Sequence, residues 1–171
     1  MSEMVILVDK NDKEIGTEEK MKAHQEGKLH RCFSIFVFNP NGEMLLQRRA
    51  YSKYHSGGLW ANTCCSHPRP GESVEQAAHR RLKEEMGFDC ELKELSHFIY
   101  NAKLDHGLTE HEFDHVLIGK YDGEIRPNED EVSEIMWIGT DNLKDEINKH
   151  PDNFTEWFKI AFRKFSELSE V

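Results

Sequence analysis

One segment constrains this chain more than any other: a stretch carrying a thiol pair and an imidazole leads directly into a helix whose two ends are both marked. Trp60-Ala61-Asn62-Thr63-Cys64-Cys65-Ser66-His67-Pro68 is followed by Pro70-Gly71-Glu72 and then by Ser73-Val74-Glu75-Gln76. The Ser and Gln have the spacing of a capping box, in which each side chain reaches for a free amide of the other residue. Gly87 supplies the residue that ends such a helix. Inside it Arg81 stands three residues from Glu84 and four from Glu85, so the three share one face. Alone, that is an ordinary surface ion pair. The wider pattern running from Glu72 to Phe88 turns the face into a candidate site.

The 171 residues fit one domain spanning 1–171, and a chain of this size buries roughly 70% of its unfolded surface. A hydrophobic content of 37%, with ten Phe and three Trp, supplies one core. No apolar run approaches the roughly 20 residues of a membrane span. The start, Met1-Ser2-Glu3-Met4, has neither a basic segment nor a long apolar one, so a cytoplasmic setting is expected. No long exposed apolar stripe demands a partner, and a monomer is expected. Asp and Glu outnumber Lys and Arg by 32 to 22, a net charge of −10 that repels a nucleic-acid backbone. A small anion is still compatible, because Arg48, Arg49 and Lys53 form one basic group and Arg80, Arg81 and Lys83 another. The four cysteines make no CxxC pair. Cys32 and Cys90 read as small buried hydrophobes. Adjacent Cys64 and Cys65 are poorly placed to pair with each other.

Val5 to Val8 predicts a strand turned by Asp9 to Asp12, and Thr17-Glu18-Glu19-Lys20 a short helix closed by Gly27. Cys32 to Phe38 and Met44 to Leu46 form a hairpin about Asn39-Pro40-Asn41-Gly42. Strands are expected around 90–100, 113–121 and 132–138. A helix capped by Thr140 or Asp141 follows, and a Phe- and Trp-rich one covers about 153–168. This order predicts an α/β fold in which helices cover both faces of a mixed sheet.

Read back from Phe88, the helix gives Arg80-Arg81-Leu82-x-Glu84-Glu85-x-Gly87-Phe88, with Glu72 eight residues before Arg80. The pattern resembles the 23-residue Nudix box, G-x5-E-x7-R-E-U-x-E-E-x-G-U, and implies a Nudix-type α-β-α sandwich. Two positions depart from it. Ser66 stands at the first Gly, and Arg81 stands where Nudix hydrolases carry a Glu that helps bind a divalent cation. A cation there removes a metal ligand and adds a phosphate-binding group. Elsewhere His24, His30, His67 and the pair Glu110 and Glu112 are metal-ligand types, and residues two apart in an extended segment project to one side. Five such groups, if they converge, suit Mn, Fe, Zn or Mg.

Several further motifs occur in order: Lys20-Met21-Lys22-Ala23-His24, Lys28-Leu29-His30, Arg48-Arg49-Ala50-x-Ser52-Lys53, Trp60 to Pro68, Glu110-x-Glu112 and Phe154-Thr155-Glu156-Trp157. Together they resemble the type I isopentenyl-diphosphate isomerases, a Nudix-superfamily family, from about Val5 to the last helix. The resemblance implies that His24, His30, His67, Glu110 and Glu112 hold one divalent metal. It makes Cys65 the catalytic thiol, Glu112 the opposing acid/base group assisted by Tyr100, and Trp157 an aromatic wall. Lys20, Arg49, Lys53 and Arg81 would meet the substrate diphosphate, whose accompanying Mg²⁺ would rest on Glu85. Cys64 would face away into the core. The chemistry is consistent: two groups on opposite faces of an alkene avoid moving one group during the reaction. Trp157 reads almost as well as a core anchor beside Phe154, Phe158, Ala161 and Phe165. A divergent Nudix hydrolase of a small diphosphate is the competing reading, and a non-enzymatic metal-binding module a third. His106, His111 and His115 have no assigned role.

Overall fold

A computed structural model describes residues 3–169 of the chain. Its pivot is β3 (His30–Phe38), apolar toward both faces as a strand covered on two sides must be. It pairs in parallel with β8 (Thr109–Lys120) and antiparallel with β1 (Met4–Val8), β4 (Glu43–Arg49) and β6 (Cys64–Ser66). Beyond β1 lies β2 (Glu14–Glu19), and beyond β8 lies β7 (Leu92–Lys103). β4 also carries β5 (Trp60–Ala61) and β9 (Val132–Gly139). The sheet is therefore mixed.

Two-residue periodicity sends the side chains of β3 to opposite layers. Phe33, Ile35 and Val37 pack with Ala77, Ala78, Leu82 and Met86 of α2 (Val74–Met86). Phe36 packs on the other side with Leu143 of α3 (Thr140–Lys149) and with Trp157, Phe158 and Ala161 of α4 (Glu156–Ser169). The result is the expected α/β sandwich. Both halves of the capping box form: Ser73 Oγ accepts from the Gln76 amide at 3.1 Å and Gln76 Oε1 from the Ser73 amide at 3.0 Å. At the far end Gly87 has φ +71°, and a Cβ there would lie 2.2 Å from the Arg126 carbonyl oxygen, so only glycine fits.

Some boundaries differ from expectation. Thr17, Glu18 and Glu19 do not open a helix: they end β2, paired with Ile6, Val5 and Met4, and α1 (Lys20–Glu26) starts after them. Cross-strand pairing overrides the weak strand preference of the glutamates. Neither Thr140 nor Asp141 caps α3, because Gly139 is its N-cap and both lie inside the helix. Residues 151–153 form a separate 3-10 turn, so α4 starts later than about 153. β3 and β8 begin earlier than expected, at His30 and Thr109, and this brings candidate ligands into the sheet. No helix among the described residues is long and apolar enough to cross a membrane.

Candidate active site

Register builds the site. His30 of β3 lies opposite Glu112 of β8, Tyr100 of β7 opposite the same Glu112, and Ser34 of β3 opposite Cys65 of β6. His24 comes from α1, whose buried residues are Ala23 and His24. Ligand atoms of His24, His30, His67 and Glu112 all lie within 4.8 Å of one another, and all four residues are buried. His30 Nε2 and His67 Nε2 each stand 3.0 Å from Glu112 Oε1, and His24 Nε2 stands 3.6 Å away.

The backbone fixes the chemistry of two of these rings. His24 Nδ1 lies 2.7 Å from the Lys20 carbonyl and His30 Nδ1 2.8 Å from the Lys28 carbonyl. A carbonyl oxygen only accepts, so both Nδ1 atoms carry hydrogens and each Nε2 is turned toward Glu112. Burial, partly opposed by Glu112, pushes His67 down to about 4, so its ring is neutral at pH 7. Three imidazole nitrogens and one carboxylate oxygen thus converge on a single buried point. The donor set is that of a divalent metal.

Glu110 lies outside this group of four. The Tyr100 hydroxyl lies 2.5 Å from Glu110 Oε2 and 2.8 Å from Glu112 Oε2, with one hydrogen to offer the pair. Burial, then the charge of Glu112, push Glu110 well above the usual carboxylate range, while the three imidazoles outweigh burial at Glu112 and hold it well below. A proton is therefore shared through the phenol, with Glu112 the ionised member. Cys65 Sγ donates to Asn62 Oδ1 at 2.9 Å and sits 3.5 Å from Ser34 Oγ. Burial, then Asp114, push its thiol well above the ordinary value, so it stays protonated. Cys64 faces the other layer: it is fully buried and its Sγ donates to Glu85 Oε2 at 2.9 Å.

The four candidate diphosphate groups border the same cavity as Cys65, Glu112 and Trp157. Arg81 reaches Glu84 at 2.7 Å and Glu85 at 3.3 Å, and Lys53 reaches Glu131 at 2.6 Å. Lys20 pairs with Glu3 at 3.3 Å. The guanidinium carbon of Arg49 lies 5.0 Å from the Trp157 ring centre. The Nε atoms of Arg49 and Arg81 are buried without a hydrogen-bond partner. Trp157 is both things at once, a buried member of the α4 core and part of the cavity wall.

Sequence reasoning missed several neighbours. His55 borders the cavity, edge-on to Trp157 at 5.5 Å between ring centres. Asp114 is fully buried and accepts from Ser34 Oγ at 2.8 Å and Cys32 Sγ at 3.4 Å. The alternation that picked out Glu110 and Glu112 extends to Asp114 and was the available signal. Nothing in the spacing marks His55. The unassigned histidines serve the scaffold: His111 Nδ1 bonds the Gly27 carbonyl that ends α1, and His115 bridges Asp12 and Glu94. His106 is exposed beside Asp105.

Comparisons with known proteins agree with this geometry. A family profile described as NUDIX domain matches residues 28–158. The chain is 57% identical over 159 residues to isopentenyl-diphosphate Delta-isomerase 2 of Photorhabdus laumondii, covering 93% of this chain and 90% of that one. It is 52% identical over 164 residues to isopentenyl-diphosphate Delta-isomerase of Burkholderia multivorans, covering 96% and 93%. Among solved structures, one from Deinococcus radiodurans superposes with a TM-score of 0.80 at 18% identity, covering 95% of this chain and 98% of that one. A MutT protein from Methanosarcina mazei gives 0.69 at 18% identity, covering 84% and 96%. The structures speak for the fold, and the sequence relatives narrow it: the chain belongs to the Nudix superfamily and, within it, to the isopentenyl-diphosphate Delta-isomerases.

Proposed function

We propose that the chain interconverts isopentenyl and dimethylallyl diphosphate, adding a proton at one carbon and removing another two carbons away. The observation that carries this reading is one cavity bordered by a protonated thiol, an ionised carboxylate, an indole face and four basic side chains. An unactivated alkene is a very weak base, and the barrier lies in forming a tertiary carbocation. Cys65 and Glu112, from β6 and β8, serve as the two proton-handling groups, and Tyr100 relays to Glu112 through its hydroxyl. Trp157 excludes water, and its ring face stabilises a desolvated cation by about 2 kcal/mol.

Lys20, Arg49, Lys53 and Arg81 hold the diphosphate, whose binding energy fixes a hydrocarbon too small to be held by itself. His24, His30, His67 and Glu112, with Glu110 adjoining, hold one divalent metal, for which Mn, Zn, Fe and Mg all suit the nitrogen and oxygen donors. When bound, that metal supplies fixed positive charge that keeps Glu112 ionised and rigid. Mg²⁺ arriving with the diphosphate rests on Glu85. At position 81 a Nudix hydrolase carries a Glu that helps bind the cation activating water; the guanidinium there favours holding the phosphates instead. Proton NMR of isopentenyl diphosphate with enzyme and Mg²⁺ in D₂O tests the reading. Formation of the dimethylallyl isomer with deuterium incorporated is expected, and release of phosphate without any isomer overturns it.

A further inference from the structure

Glu131 has no part in the reading above, yet it stands where the two halves of the basic end meet. Its Oε2 lies 2.6 Å from Lys53 Nζ and its Oε1 3.6 Å from Arg81, and it borders the cavity. The backbone holds it there from both sides. The Glu131 carbonyl accepts from the Ala50 amide at 2.9 Å, next to Arg49, and the Glu131 amide donates to Asn128 at 2.9 Å. The Asn128 amide donates to the Glu85 carbonyl at 2.8 Å. The turn thus ties the end of β4 to α2, and Glu131 is its point of contact with the site.

We propose that Glu131 is a specificity-determining residue of the diphosphate end, making the site select a diphosphate that arrives with a divalent cation. The inference rests on the proposed isomerase reading. Lys53 and Arg81 face three carboxylates, those of Glu84, Glu85 and Glu131. A pocket for a bare anion leaves its cations free, and this one does not. A bare diphosphate entering here brings like charge against Glu85 and Glu131. A divalent cation carried with it turns the same two carboxylates from repulsive to attractive. Lys20, Arg49, Lys53 and Arg81 all line this end, so it still carries the positive charge an anion needs.

The test is calorimetric binding of inorganic diphosphate to the metal-loaded enzyme, with Mg²⁺ supplied or omitted. The parent is compared with Glu131→Gln, which keeps an acceptor for Lys53 but loses the charge, and with Glu131→Ala. The parent should bind about tenfold more tightly with Mg²⁺, and Glu131→Gln should shrink that ratio to about threefold or less by tightening Mg²⁺-free binding. Glu131→Ala should shrink the ratio too, with weaker binding overall because Lys53 loses its anchor. A parent with no Mg²⁺ preference overturns the proposal, as does a Gln variant with an unchanged ratio. So does a Gln variant weakened equally in both conditions, which makes Glu131 a plain anchor. Isomer formation by the parent is measured separately: its absence sinks the isomerase reading while the diphosphate comparison still stands on its own result.

Discussion

The two ends of the cavity treat charge in opposite ways. At the imidazole end the groups face one another and have almost no contact with solvent: the side chains of His24 and His30 are 1% and 0% exposed. Their outer nitrogens are tied to main-chain carbonyls, so the rings cannot turn to find other partners. At the basic end Lys53 and Arg81 are each 19% exposed and already matched with carboxylates. The first arrangement suits a resident ion that enters once and stays. The second suits a ligand that comes and goes, because ion pairs near solvent exchange partners at little cost.

The strongest way to break that comparison lies between the ends. Cys65→Ala should lower isomerisation by roughly a thousandfold, in the range found for removing a general acid or base. Both metal content and inorganic diphosphate binding should survive; their loss would mean that the thiol also supports the ends. His30→Ala should abolish metal retention after dialysis, read by elemental analysis, with diphosphate binding nearly intact. If the metal stays, the four-ligand cluster is not its site. Arg81→Glu should do the reverse, keeping the metal and raising KM about 30-fold, the scale of losing a close charge partner and adding a like charge.

The smallest effect concerns pH. Burial, then the charge of Arg49, push His55 down to about 3 from the ordinary 6.5. The unfolded chain therefore binds more protons than the native one between these values, and this contribution to stability is full above 6.5 and lost as pH falls toward 3. Asp114, pushed up mainly by burial to about 7, acts in the opposite sense, stabilising the acid side. Comparing His55→Asn with the parent cancels the Asp114 part. The variant should show a flatter fall in urea midpoint from pH 6.5 to 4, and an unchanged slope would place His55 in a wetter environment than this.

The helix that opened the sequence reading was fully legible, because capping box, charge face and terminal glycine are local signals that agree with one another. The ligand set was legible only through resemblance, since histidines from a helix, a strand and a loop share no spacing. Asp114 was within reach of the two-residue period. His55 and Glu131 were not, because each sits on a connection whose path is set by what it lands on. The same holds for Thr17 to Glu19, whose strand exists only because Met4 to Ile6 lie alongside.

Lys20 carries a consequence of its own. Its carbonyl orients His24, while its ammonium borders the cavity near the basic end. Every amino acid has a carbonyl, so a change at position 20 alters what the cavity welcomes without disturbing how the imidazole is held. Tenant and fixture are thus genetically separable within one residue. A lineage can drift toward a different anionic cargo, one side chain at a time, and never have to rebuild the imidazole cluster beside it.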